Sequence, residues 1–562
     1  MKAPTVFCLA LFLSIPGAVP AGAAEQPADL RFSTYLGGQD VDQGNFVAVA
    51  PSGSVFVAGL TGPRPFYPYG WSGSFLTGFA PDGSLLFSTG FSGGGDVSRV
   101  ISGIAVSKGR VVVGWTDSEP MNYPGGAVAS VSEGGGPVIE GWPQIDAWAS
   151  EIHGVGAGPG GVWVCGRYWS EAEYGIATGN FLALLDPQTL ATLKTVYFDD
   201  AETDMWSLTF DEVAGDAAGN IYVMANVQWS SYVLMKLSPD GRRILYEVSL
   251  EKPGGGGYDS ASLAVDAAGR ASLAWTTKTP DLPLTAPVQA GFGGGHDAFV
   301  VTLDPAGKVL LATYLGGAGD EVAGGVAFDR TGGLYLAGTT WSADFPVTRP
   351  LARPCTGDPK CGVSDAFLVH LGPPGSGMFE STLLGGSDGE RGGDIALAPV
   401  GVAAVGGTAS SDFPVVNAFQ ASLQGGVDAF VTSLTVFNHP PDCSAATASP
   451  STLWPPDRRQ VRISTLGVTD PDGDPVTLKV TRILQDELFT ARLPDAGSLG
   501  TAKPWVRADR MDNGDGRVYH LFFEATDPAG AACTGEVKVC VPIQSGGTCR
   551  DGGARFDSTL PR

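Results

Sequence analysis

The residues able to do chemistry are few and scattered. Gly90-Phe91-Ser92-Gly93-Gly94 has the G-x-S-x-G spacing of a nucleophile elbow. That motif presents its serine on a strand–turn–helix bend, and no helical periodicity follows, so a plain turn is the reading. Gly156-Ala157-Gly158-Pro159-Gly160-Gly161 has the G-x-G-x-x-G spacing of a phosphate-cradling loop. It stands between two apolar strands with no helix behind it, so it reads as a hairpin. The five histidines, His153, His296, His370, His439 and His520, form no metal-ligand spacing and read as surface or turn residues. Asp470-Pro471-Asp472-Gly473-Asp474 places three carboxylates, Asp470, Asp472 and Asp474, at alternate positions. Such hard oxygen ligands suit Ca²⁺, the one cofactor the sequence offers. Pro475 stands where an EF-hand loop needs Gly and Thr481 where it needs Glu, so an Asp-rich β-turn is the favoured reading.

These residues sit in a repeated frame. A Gly-rich turn leads into an apolar strand, a tight turn and a second apolar strand ending near Gly-Thr. A variable loop, a third strand, a turn and a fourth strand follow. Second strands begin near Val55, Val111, Val162, Ile221, Ala271, Leu334 and Val402, which makes seven copies 50 to 68 residues apart. Four strands per unit at that period fit propeller blades better than shorter solenoid repeats. Turns such as Asp329-Arg330-Thr331-Gly332 and Pro239-Asp240-Gly241 close the hairpins. Asp caps the backbone there and Gly supplies positive φ. The seventh copy ends after its third strand, Asp428–Leu434. An orphan fourth strand, Leu30–Leu36, opens the chain and should complete that last blade.

Thr313-Tyr314-Leu315-Gly316-Gly317, Asp344-Phe345-Pro346 and Asp365-Ala366-Phe367-Leu368 carry a resemblance. Asp412-Phe413-Pro414, Asp428-Ala429-Phe430-Val431 and His296-Asp297-Ala298-Phe299-Val300 repeat it. The pattern resembles the bacterial SBBP-type beta-propeller repeat over about residues 30–437. It is strong in copies one, five, six and seven, whereas copies two to four lack Asp-Phe-Pro. The resemblance implies a secreted or surface seven-bladed propeller and brings no catalytic residues. After His439-Pro440-Pro441, the Leu453-Trp454-Pro455-Pro456 and Asp470–Val476 stretches resemble an Ig-like module found on exported bacterial proteins. The expected fold is therefore all-β: a seven-bladed propeller over residues 25–438, an Ig-like β-sandwich over 439–543, and a Gly-rich tail over 544–562.

Composition limits the partners. Asp and Glu total 58 against 34 Lys and Arg, a formal charge of −24. That balance gives no electrostatic case for nucleic acid, because phosphate contacts need clustered Lys and Arg. Residues 1–24 read as a secretory signal peptide: Lys2, an apolar run from Val6 to Val19, and an Ala21-Gly22-Ala23 cleavage site. No later segment is apolar for the ~18 residues that a membrane span requires. An exported chain should oxidise its cysteines. Cys355 and Cys361 flank one loop and should pair. Cys443, Cys533, Cys540 and Cys549 should make two bridges of open connectivity, and Cys165 is left as a buried thiol.

Topology nominates one site. Loops between blades emerge on the face that carries the loops from second to third strands. Asp40, Asp42, Asp96, Asp259, Asp320, Glu321, Asp388 and Glu390 stand in those inter-blade loops and would ring a channel mouth, with Trp341 beside them. Such a ring would attract cations or basic ligand groups. The competing reading, which is favoured, is that each acid only caps its own Gly turn. The expectation is a non-catalytic, monomeric binding protein, secreted or on the outer cell surface, with a protein or glycan ligand. The alternatives are a secreted enzyme acting on glycan or peptide and a Ca²⁺-stabilised adhesin.

Overall fold

The computed structural model describes residues 30–560 apart from 63–72, 93–97, 119–124, 148, 173–174, 200–207, 228–230, 252–260, 350, 352–363, 378, 436 and 489–493. The segment read as a signal peptide, Asp96, Asp259, Cys355 and Cys361 thus lie outside the described residues. Among the described residues every regular element is a strand.

Up to Leu434 the strands form antiparallel sheets built in chain order. Five sheets have four strands each, and one eight-stranded sheet joins two such groups through a parallel pairing of Ser150 with Gly125. The strand Leu30–Leu36 pairs antiparallel with Asp428–Leu434, Tyr35 opposite Phe430. Seven strands begin the successive groups: Val41–Val49, Ser98–Ser107, Ala149–Gly158, Leu208–Gly215, Ala261–Val265, Glu321–Phe328 and Glu390–Leu397. Each of these inner strands packs on the next, and Glu390–Leu397 packs on Val41–Val49. This is a propeller arrangement.

The core lies between sheets. Apolar strands are buried on both faces, as in Leu334–Thr340 and Val402–Thr408. Each sheet therefore shares a cluster with its neighbour. Phe56, Leu76, Val111 and Trp115 form one. Leu311, Val326, Leu336 and Phe367 form another. Phe32, from the N-terminal strand, joins Val57, Phe79, Val405 and Val431. Burying one such Phe contributes about 1.5–3 kcal/mol. Turn chemistry sets the hairpins: Asp329 Oδ1 accepts the N–H groups of Thr331, Gly332 and Gly333, while Gly332 adopts φ +95°.

Beyond residue 440 lie a two-stranded, a three-stranded and a four-stranded sheet. They enclose Leu453, Ile463, Val480, Tyr519, Leu521 and Phe523. Cys443 pairs with Cys533 and Cys540 with Cys549, while Cys165 is free and buried. The segment read as a Gly-rich tail is partly structured. Its strand Phe556–Asp557 adds to the edge of Thr477–Gln485.

Candidate functional site

The seven inner strands line one central channel, a cavity of about 450 Å³. Six of them break register near mid-strand, at Asn45, Ser102, His153, Asp211, Gly324-Gly325 and Gly393-Asp394. A bulge bends a strand and re-aims a side chain. Asn45, Ser102, Glu212, Ser262, Arg391 and Asp394 are polar residues along the wall. The Asn45 Oδ1 and Ser102 Oγ atoms are buried and have no hydrogen-bond partner among the described residues.

Side chains from one group hold the inner strand of the next. Thr116 Oγ1 accepts the Ile152 N–H at 3.0 Å, Thr276 Oγ1 that of Ala323 at 3.0 Å, and Thr339 Oγ1 that of Gly392 at 3.1 Å. Within the channel, Glu212 Oε2 accepts the Leu263 N–H at 2.6 Å, and Ser262 Oγ that of Val326 at 3.3 Å. Asp394 Oδ2 accepts the Val47 N–H at 3.0 Å. Burial pushes the Glu212 carboxyl up to about 8, against the Leu263 hydrogen bond and with help from Asp394. Burial likewise pushes Asp394 up to about 6, partly offset by the Val47 and Ile395 N–H groups.

The acids nominated from sequence lie elsewhere. Trp341 lines the channel, and none of the nominated acids among the described residues does. Asp42 Oδ2 accepts the Gly38 N–H at 2.7 Å, Glu321 Oε2 that of Gly317 at 2.8 Å, and Glu390 Oε2 that of Gly386 at 3.1 Å. All three acids are buried. Four residues past its Gly-Gly turn, each carboxylate folds back onto the turn. Of the two readings offered for the nominated acids, the favoured one, a cap on the acid's own Gly turn, describes Asp42, Glu321 and Glu390. A second carboxylate from a third strand stands beside each: Asp428 by Asp42, Asp297 by Glu321, and Asp365 by Glu390. A Cβ on Gly37 would lie 2.8 Å from both Asp42 Oδ2 and Asp428. Burial, reinforced by the neighbouring acid, raises Asp42, Glu321 and Glu390, the last to about 7. Asp40 and Asp388 are exposed, and Asp320 Oδ1 lies 2.8 Å from His296 Nδ1.

The Asp470–Asp474 segment forms the Asp-rich turn that is the favoured reading of the sequence. Asp470 Oδ1 accepts the turn's own Asp472 and Asp474 N–H groups. Asp472 accepts the His439 N–H at 2.6 Å and lies 2.9 Å from His439 Nδ1. Asp474 pairs with Arg330 of the propeller. Protein cations and N–H groups thus engage one oxygen of Asp470, both of Asp472 and one of Asp474. Among the described residues no group of three His, Cys, Asp or Glu is gathered for a metal ion. EDTA should leave the thermal midpoint unchanged; a fall of several degrees, restored by Ca²⁺, would reinstate the metal reading. Gly90, Phe91 and Ser92 lie in the strand Leu85–Ser92, with Gly93 and Gly94 outside the described residues, and Gly158 pairs with Gly161 across a hairpin rather than opening a helix.

Sequence reasoning missed Asn45, Ser102, Glu212 and Asp394. The available signal was weak: Asn45, Ser102, His153 and Asp211 each stand two residues before a β-branched residue of an inner strand.

Comparison with known proteins bears on the fold alone. No curated protein matches the chain in sequence. Among solved structures, a luciferin-regenerating enzyme is 10% identical, with 72% of this chain and 97% of that one covered and a TM-score of 0.31. The Dos1 propeller is 12% identical over 52% of this chain and 64% of that one, TM-score 0.32. A mutant puromycin hydrolase is 14% identical over 69% of this chain and 53% of that one, TM-score 0.36. Residues 312–346, which run from the fourth strand of one group into Asp344-Phe345-Pro346 of the next, match the SBBP family model, a beta-propeller repeat.

Proposed function

We propose that the chain is an exported, non-catalytic binding protein. In this reading it is a seven-bladed propeller closed by its N-terminal strand, with an Ig-like sandwich docked on it. The channel and the mouth beside Trp341 take a protein or glycan ligand. One observation carries the reading: the acids that could do chemistry are engaged in holding backbone. Glu212 and Asp394 each accept an N–H from the next inner strand, and Asp42, Glu321 and Glu390 cap turns. Two disulfides support an oxidising, extracellular setting.

A second reading rests on Glu212 and Asp394, two carboxyls of one channel pushed to different values, about 8 and about 6. Such splitting is how sites assign acid and base roles. A glycan and protein array probed with residues 25–562 tests both. Binding to one ligand class, weakened about tenfold by Trp341→Ala and without turnover, supports the binding protein. Turnover of an array ligand that is lost in Glu212→Gln establishes the enzyme instead.

A further inference from the structure

The C-terminal sheets meet the propeller through charged groups set around two histidines. The propeller contributes Asp329 and Arg330 from one turn, His370 from the strand Asp365–Leu371, Glu380 from Phe379–Leu384, and Arg349. The C-terminal part contributes Asp472 and Asp474, and His439 lies in the connecting segment. His370 is 2% exposed; its Nε2 is 2.9 Å from Asp329 Oδ2 and its Nδ1 3.8 Å from Glu380 Oε2. Tyr335 stacks on His370 at 4.4 Å, with Phe437 at 6.1 Å from Tyr335. Arg349 Nε is 3.0 Å from the other Glu380 oxygen. Arg330 pairs with Asp474 and also donates to the Ala398 and Pro399 carbonyls, both at 2.9 Å.

His439 is the hinge of this arrangement. Its Nδ1 is 2.9 Å from Asp472 Oδ1 of the C-terminal part, and its Nε2 is 3.4 Å from Glu380 Oε2 of the propeller. One imidazole therefore stands between a carboxylate of each part. An imidazolium donates from both nitrogens and attracts both carboxylates. A neutral ring donates from one nitrogen only, and Glu380 and Asp472 then face each other across an uncharged group.

We infer that His439 is a proton-operated latch: charged, it clamps the C-terminal module to the propeller, and neutral, it releases it.

The electrostatics have the required sign. The Asp472 hydrogen bond raises His439 above its ordinary value, burial opposes this, and Glu380 adds to it. A histidine raised in the docked state stabilises docking fully below its free value. That contribution is lost as pH climbs through the raised one. Burial pushes Asp474 up to about 6 despite Arg330, which also favours docking at lower pH. Asp329 does not: burial would raise it, but hydrogen bonds from His370 and Thr331 hold it below its ordinary value.

Small-angle scattering of residues 25–562 from pH 5.5 to 9 tests the latch. The radius of gyration should rise with pH, with its midpoint above 6.5. His439→Lys, charged throughout, should stay compact at pH 9. Glu380→Gln should move the midpoint down. A wild-type profile unchanged across the range overturns the latch, as does a His439→Lys profile that follows the wild type. The wild-type titration decides the matter even if a variant fails to fold.

Discussion

Gly392→Ala is expected to destabilise the propeller by about 3 kcal/mol. Gly392 lies on the inner strand Glu390–Leu397, where the wall of one sheet meets the next. A Cβ there would overlap the carbonyl oxygen of Gly338, on the second strand of the preceding sheet. Gly324 faces the Gly393 carbonyl in the same way. The obstacle is backbone, so no rotamer change relieves it. The sheets must separate, which strains the Gly392 N–H to Thr339 hydrogen bond and loosens the Tyr335, Leu368 and Ile395 core. Gly426→Ala is the control, because nothing lies within 4 Å of its Cβ. Urea unfolding of both variants checks this. Equal midpoints would show that the inner strands do not pack as closely as described.

Arg517→Met should cost about 3–5 kcal/mol in the C-terminal module. Arg517 is fully buried; its Nη1 lies 2.8 Å from Asp495 Oδ2, and Asp495 is itself fully buried. Its Nε is 3.6 Å from Glu487 Oε2, and Nη2 donates to the Leu488 carbonyl at 2.9 Å. Met fills much of the volume but leaves two buried acids without that cation. Arg507, 3.8 Å from Asp495, compensates only weakly. Removing one acid as well, in Arg517→Met/Asp495→Asn, should recover part of the loss. Calorimetry reads the effect on the module's own transition. A shift corresponding to under about 1 kcal/mol would show that the cluster carries little of the module's stability.

Short-range chemistry explains what could be read in advance. Asp329 and Gly332 make their turn with neighbours two to four residues away, so the local sequence is enough. Strands such as Asp365–Leu371 are largely apolar because both faces are buried. The caps at Asp42, Glu321 and Glu390 are also local, each reaching back four residues. Because each cap reaches only its own turn, the turn-cap reading needed nothing beyond the local sequence.

The channel followed different rules. Glu212 reaches Leu263 across 51 residues, and Asp394 reaches Val47 across 347. Nothing beside either acid in the chain encodes its partner. The pairing of Cys443 with Cys533 spans 90 residues and was equally open. His439 and Asp472 became partners only when the Asp-rich turn docked on the propeller, turning an apparent cation loop into a contact between modules. The amino-acid sequence by itself determined the strands, the turns and their recurrence, because those depend on periodicity and on groups a few residues apart. The tertiary structure decided which acids line the channel, which cap turns and which join the two parts. Those roles depend on which backbone N–H, carboxylate or guanidinium the fold brings within hydrogen-bonding reach, about 3 Å.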